Sequence, residues 1–152
     1  MEHEILFHAE EGGTPPSEAR QALLTEWIEA VIIAREGQPG NINYIFCGDD
    51  YLHRMNVEYL DHDTLTDIIT FPYEVFPLVS GDLFISTERV ADNAGELSTT
   101  YEDELHRVII HGVLHLCGQG DKTEAEANDM RSLENWALSL RPEALITPNS
   151  KL

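Results

Sequence analysis

The period of the hydrophobic pattern changes along the chain, and this change restricts the possible folds more than any other sequence feature. Short runs rich in β-branched and aromatic residues predict strands at residues 4–9, 41–47, 68–71 and 82–86. Apolar residues at helical spacing predict helices that begin near Ser17, Gly48, Thr87, Thr99 and Thr123. Together these elements predict an α+β fold with a single mixed sheet of about four strands packed with helices.

Residues 1–141 are predicted to form one domain, because 152 residues suit a single hydrophobic core and no repeat divides them. Pro142 ends the last predicted helix, so residues 142–152 are expected to be a loose C-terminal tail. The segment from Gly37 to Gly40 is expected to separate the first helix from the second strand. Ser17 is predicted to cap the first helix, and two later pairs, Thr99 with Glu102 and Thr123 with Glu126, fit the capping box.

The charge balance limits the classes of partner. Twenty-eight acidic residues against nine Lys and Arg give a net charge of −19. Such a surface repels nucleic-acid phosphates and attracts metal cations and basic proteins, which disfavours unaided RNA or DNA binding. Adaptation to a salty cytoplasm is an alternative origin of the charge, and composition leaves both open.

Other features of the composition indicate a cytoplasmic protein without a membrane span. No apolar run approaches the roughly 20 residues that cross a bilayer, and the acidic N-terminus lacks the pattern of a secretory signal. The two cysteines, Cys47 and Cys117, are too few for a disulfide framework or for a zinc site made of thiolates alone.

One segment has the spacing of metal ligands. His111 and His115 lie four residues apart on a predicted helix, so both imidazoles can face one ion. Gly118 allows the chain to turn after the helix, and Asp121 can then return as a third ligand. Two imidazoles and one carboxylate leave open positions for water and substrate, as in catalytic zinc sites. We therefore expect one Zn²⁺ per chain at the end of the His-bearing helix, although iron and nickel also suit these ligands.

The same spacing occurs in zinc peptidases of the long-motif type, with Asp121 in place of a third histidine. Those enzymes carry a general-base glutamate directly after the first histidine, where this chain has Gly112. A peptidase is therefore an alternative that lacks its proton acceptor.

Residues 111–118 read H-G-V-L-H-L-C-G. This segment and two others together resemble a known family, the YbeY-type endoribonucleases, also called rRNA maturation factors, whose signature includes H-G-x-L-H-L-x-G. Asn56 with the run from Thr66 to Pro72, and the run from Gly81 to Ser86, resemble two further family motifs in the same order. The resemblance implies a zinc-dependent endoribonuclease that is specific for single strands. It further implies maturation of the 3′ end of small-subunit ribosomal RNA and a part in ribosome quality control.

The chain departs from the family motifs at two positions. Asp121 stands where the family has a histidine, and Leu60 stands where the family has an arginine associated with catalysis. Phosphodiester cleavage needs a cation near the phosphate oxygens. Arg107, four residues before His111, is predicted to be this phosphate clamp, with an ion pair to Asp103 or Glu104 as the alternative.

Further candidates and alternatives follow from the same departures. His62 is predicted to stand in partly for the lost arginine, and Arg54 is another candidate. The sequence leaves open whether water or the 2′-hydroxyl of the RNA attacks the phosphorus. Basic small-subunit ribosomal proteins are the expected protein partners. A non-enzymatic acidic adaptor of the ribosome with a structural metal is the remaining alternative.

Overall fold

A computed structural model of the chain describes residues 3–146. Its elements follow in the order β1 (Ile5–Ala9), α1 (Glu18–Ala34), β2 (Gln38–Cys47), α2 (Asp49–Leu60), β3 (Ile68–Pro72), β4 (Leu78–Ser86), α3 (Thr87–Glu96), α4 (Tyr101–Leu116), α5 (Glu124–Ser139) and α6 (Glu143–Ile146). This architecture confirms the expected α+β fold. No helix in the described range is both long and apolar enough to span a bilayer.

The sheet is mixed and has four strands in the order β1-β2-β4-β3. β1, β2 and β4 run parallel, whereas β3 pairs antiparallel with β4 and forms one edge. β2 begins at Gln38, inside the segment expected to be a break, because Gln38 and Pro39 pair with Leu78 and Val79 of β4. The prediction for residues 37–40 was therefore wrong from Gln38 onward, because it did not include pairing with a distant strand.

The two faces of the sheet carry apolar clusters of different size. The larger cluster includes Trp27, Tyr44, Leu83 and Ile109, and it lies between the sheet and the helices α1 and α4. Trp27 Nε1 donates a hydrogen bond to the carbonyl of Ala137 at 2.8 Å, which joins α1 to α5. A smaller cluster lies where α2 packs, around Cys47, Leu52 and Ile69. Because side chains alternate across a strand, β3 supplies residues to both clusters.

Side-chain caps set the starts of four of these helices, and at α3 the cap is Ser86, which accepts from the backbone N–H of Arg89. Ser17 accepts a hydrogen bond from the backbone N–H of Arg20, and Thr123 forms the predicted reciprocal capping box with Glu126. The capping box predicted at Thr99 was wrong by one residue, because Thr100 caps α4. Thr99 N–H instead donates to the carbonyl of Ala94, so this residue closes the preceding helix.

The chain after Pro142 continues as an ordered segment over the residues that are described. α6 packs against α1, and Leu145 is buried. Residues 143–146, which belong to the predicted loose tail of residues 142–152, form α6. Residues 147–152 of that predicted tail lie outside the described residues.

Candidate metal centre

The two predicted histidine ligands lie on one face of α4, in its last two turns. The ring centroids of His111 and His115 are 4.5 Å apart, and the rings are nearly perpendicular. The helix ends at Leu116, and Gly118 then adopts a positive φ of 93°, which reverses the chain. This turn carries Asp121 back to the two imidazoles, as the spacing predicted.

The geometry of the three side chains suits a small cation. Asp121 Oδ2 lies 3.3 Å from His111 Nε2 and 3.2 Å from His115 Nε2. One potential ligand atom from each residue lies within 4.8 Å of the other two. Ligand bonds of about 2.0–2.2 Å in a tetrahedral zinc site place ligand atoms roughly 3.3 Å apart. The described donor set could therefore hold a transition metal without rearrangement of the backbone.

The second nitrogen of each imidazole already has an acceptor. His111 Nδ1 donates to Glu134 Oε2 at 2.6 Å, and His115 Nδ1 donates to the carbonyl oxygen of Gln119 at 2.8 Å. With both Nδ1 atoms engaged, both Nε2 atoms are presented to Asp121. Hydrogen bonds of this kind orient the histidine ligands of metal sites and fix their tautomer.

Sequence reasoning missed Glu134, which lies 23 residues after His111 on α5. Its side chain is buried on the same helix face as Met130 and Ala137. An acidic residue at helical spacing within an apolar face was the available signal, since such residues are rarely buried unless paired.

Charges around Glu134 keep it ionised. Burial alone would raise the pKa of Glu134, but hydrogen bonds from His111 and Arg107 lower it below the usual range. Burial alone would lower the pKa of His111, but the Glu134 carboxylate raises this pKa above its usual value. Arg131 approaches the same carboxylate at 3.9 Å. The carboxylate of Glu134 therefore has three partners: the guanidinium groups of Arg107 and Arg131, and the N–H of His111.

A groove of about 210 Å³ borders the site at the beginning of β3, beside Ile68. Its polar lining comprises Asp67, Glu104, Arg107, His111, Arg131 and Glu134. Burial raises the pKa values of Asp67 and Glu104 above the usual range for carboxyl groups. Arg131, which sequence reasoning did not single out, is exposed in this groove and is a second cation beside Arg107.

Arg107 reaches the groove, but its partners differ from those predicted for the alternative ion pair. Its guanidinium donates to Glu134 Oε1 and to Asn135 Oδ1, each at 2.8 Å. The ion pair of Arg107 is with Glu134 and not with Asp103 or Glu104, and Asp103 instead pairs with Arg141 at 2.9 Å.

The other predicted cations lie elsewhere. His62 is exposed in the segment after α2 and is not part of the groove lining. Arg54 is exposed on α2, where it pairs with Glu11 at 3.2 Å. The structure therefore brings Arg107 into the same groove as the candidate ligand His111, whereas His62 and Arg54 lie outside the lining of this groove.

Gly112 lies where α4 packs closely against the sheet. A Cβ atom at this position would lie 2.8 Å from Ile68 Cδ1 and 2.9 Å from Leu83 Cδ2. A glutamate here, as in the zinc peptidases, would meet these packed side chains. The position that those enzymes use for a general base is therefore occupied by a helix–sheet contact.

Comparisons with known proteins identify relatives over most of the chain. Residues 8–140 match the family model described as Endoribonuclease YbeY. The Endoribonuclease YbeY of Flavobacterium johnsoniae is 54% identical over 116 residues, which cover 76% of this chain and 84% of that protein. Endoribonuclease YbeY of Porphyromonas gingivalis is 46% identical over 142 residues, which cover 93% and 92%.

A solved structure supports the fold. The solution structure of TM1509 from Thermotoga maritima matches with a TM-score of 0.62 and 24% identity, and the match covers 97% of each chain. The two structures therefore share the arrangement of their helices and strands.

Proposed function

The chain belongs to the YbeY endoribonuclease family, and on this premise we propose that it cleaves single-stranded RNA in a metal-dependent reaction. Its substrate is the precursor of small-subunit ribosomal RNA, whose 3′ end it matures, and it acts in ribosome quality control. The reaction belongs in the cytoplasm, where ribosomes are assembled. The observation that carries the proposal is the convergence of His111, His115 and Asp121 beside an open groove.

The metal ion is Zn²⁺, one per chain, held by His111 Nε2, His115 Nε2 and Asp121 Oδ2. When bound, zinc supplies a Lewis acid and lowers the pKa of coordinated water. Glu134 and the Gln119 carbonyl hold the two imidazoles in the orientation that this coordination requires. Asp121 brings one more negative charge than the family's histidine, which weakens the Lewis acid.

Arg107 supplies positive charge near the phosphate. Two of its guanidinium nitrogens donate to Glu134 and Asn135, and a guanidinium offers five N–H donors in all. The remaining donors can bind a non-bridging oxygen in the groove and stabilise the charge that develops there. His62 is proposed as a weaker, second contact with the RNA strand.

The acidic surface is consistent with assistance from basic small-subunit ribosomal proteins. With a net charge of −19, the isolated chain binds RNA poorly, because like charges repel over the screening length. A basic protein partner both compensates this charge and presents the strand. Cleavage by the isolated protein is therefore weak and rises when small subunits are present.

The alternatives receive less support. Gly112 packs against Ile68 and Leu83, so the general-base glutamate of a zinc peptidase would have to displace both side chains at this position. A purely structural metal is disfavoured by the three-residue donor set, since structural zinc sites usually have four protein ligands.

A test compares metal content and cleavage in protein purified without a histidine tag. We expect one zinc per chain by elemental analysis and cleavage of single-stranded RNA but not of a duplex. His115→Ala should lose both the metal and the cleavage. His53→Ala is the matched control and should keep both, because His53 is partly exposed and pairs with Asp63 outside the site. Full metal content in His115→Ala would refute the ligand assignment, and cleavage of peptides abolished by His111→Ala would favour the peptidase.

A further inference from the structure

The two histidines of the candidate metal centre are held by different kinds of acceptor. His115 Nδ1 donates to a main-chain carbonyl in the turn directly after its own helix. His111 Nδ1 donates to a side-chain carboxylate that comes from the neighbouring helix α5. The orientation of His111 therefore depends on the docking of α5 against α4, whereas that of His115 depends on local chain geometry.

The carboxylate of Glu134 uses its two oxygens for two different donors. Oε2 accepts from His111 at 2.6 Å, and Oε1 accepts from Arg107 at 2.8 Å. The residue is only 5% exposed, so water cannot replace either partner easily. Arg107 and Arg131 compensate the buried charge, one from α4 and one from α5.

We infer that Glu134 is a positioning residue that holds the proton of His111 on Nδ1 and aims Nε2 at the metal position. Arg107 in turn fixes the carboxylate, so that one hydrogen-bonded chain runs from Arg107 through Glu134 to His111. This inference rests on the proposed metal-binding function and adds a residue outside the ligand set.

The substitution Glu134→Gln tests the need for two acceptors, because the new amide offers one oxygen acceptor and one nitrogen donor. The glutamine side chain has nearly the same shape as glutamate, yet only one of its two terminal atoms is an acceptor, so it cannot accept at both of the positions that Oε1 and Oε2 hold. Either His111 loses its acceptor or Arg107 is released, and both changes loosen the imidazole. Loss of such a contact typically weakens metal affinity about 10- to 100-fold.

The experiment measures Zn²⁺ affinity by competition with a chromophoric chelator, without reference to cleavage. Glu134→Gln should bind zinc about 10- to 100-fold more weakly than the wild type. Asn135→Ala is the matched control, because Asn135 also binds Arg107 but is not a hydrogen-bond partner of His111. Its affinity should stay within about threefold of the wild type. Equal affinity in the wild type and Glu134→Gln would overturn the inference.

A second measurement needs no variant and covers the case in which Glu134→Gln does not fold. Nitrogen–proton correlation spectra of the histidine rings in the zinc-loaded wild type should show His111 protonated at Nδ1 and ligated through Nε2. Ligation of His111 through Nδ1 would overturn the inference while leaving metal binding intact. A wild-type chain that binds no zinc would instead refute the proposed function together with this inference.

Discussion

His106 and His111 lie on the same helix, but their surroundings shift their pKa values in opposite directions. His106 is 1% exposed, and burial together with Arg141 and Arg20 lowers its pKa to about 4. Its Nδ1 accepts a hydrogen bond from Arg141 at 2.9 Å, which requires the neutral ring. His111 is held by the Glu134 carboxylate, which raises its pKa against the effect of burial. One histidine is thus part of the core, and the other belongs to the groove.

The neutral state of His106 predicts loss of stability on mild acidification. Above pH 6.5 the ring is neutral in both the folded and the unfolded chain. Between pH 6.5 and 4 the unfolded chain takes up a proton that the folded chain does not, so the free energy of unfolding falls by up to about 3 kcal/mol. Denaturant titrations of the metal-free protein across this range measure the loss.

His106→Gln is the control for this pH dependence, because it keeps an acceptor for Arg141 and does not titrate. The stability of the variant should fall less steeply than that of the wild type between pH 6.5 and 4. Parallel curves for the two proteins would show that the folded and unfolded chains take up the His106 proton over the same pH range, and would contradict a lowered pKa.

Removal of the Arg107 guanidinium tests its proposed contact with phosphate. Arg107→Ala should lower the rate of RNA cleavage by roughly 10- to 100-fold, which corresponds to about 1.4–2.7 kcal/mol of transition-state stabilisation. At saturating zinc the metal content should be unchanged, because Arg107 is not a ligand. Arg131→Ala gives the matched comparison, since Arg131 lines the same groove. An unchanged rate in Arg107→Ala would assign Arg107 to the ion pair with Glu134 alone and direct attention to Arg131, His62 and Arg54.

At the scale of elements, the sequence predicted contacts between residues that lie close together in the chain. His111, His115 and Asp121 are separated by at most ten residues, so helix geometry and one glycine turn were enough to bring them together. The contact from Glu134 spans 23 residues and exists only because α5 packs against α4. The ion-pair alternative for Arg107 named Asp103 or Glu104 of its own helix, whereas its partner Glu134 comes from α5. Contacts between helices of this kind have no local signal in the sequence.

The start of β2 shows the same limit for strands. Gly37, Pro39 and Gly40 are typical of a turn, yet residues from Gln38 onward join the sheet through pairing with β4. Pairing between strands some forty residues apart can override such local preferences, and no periodicity in a single segment reports it.

The contact between α4 and the sheet predicts that bulk at Gly112 is costly. Gly112→Leu must displace Ile68 and Leu83, and overpacking of this kind costs about 1–3 kcal/mol. The displaced helix also carries His111, so zinc affinity should fall as well. Gly95→Ala on α3 is the matched control, because no atom lies within 4 Å of its added Cβ. That change should raise the free energy of unfolding by up to about 1 kcal/mol. Equal stabilities of Gly112→Leu and the wild type would contradict the close contact.

At the scale of the whole molecule, the net charge is the dominant property. Within residues 3–146, six of the seven arginines form ion pairs: Arg20, Arg54, Arg89, Arg107, Arg131 and Arg141. Most acidic side chains in the described range are exposed, and they greatly outnumber the available cations. Repulsion among them opposes the compact state, and the unfolded chain relieves it by expansion.

This repulsion predicts that salt stabilises the fold of the isolated protein. Raising NaCl from about 0.01 M to 1 M shortens the Debye length from about 30 Å to 3 Å, which screens the exposed carboxylates from one another. The melting temperature should rise by roughly 4 °C or more, equivalent to about 1–2 kcal/mol for a chain of this size. A triple variant with Glu26→Gln, Glu58→Gln and Glu74→Gln, all at exposed positions, should melt higher at low salt and respond less to added NaCl.

Association of the protein with small ribosomal subunits should weaken over the same range of salt, because screening also reduces attraction to basic partners. A melting temperature independent of salt, with association that weakens steeply, would show that the charge serves partner binding at no cost to the fold.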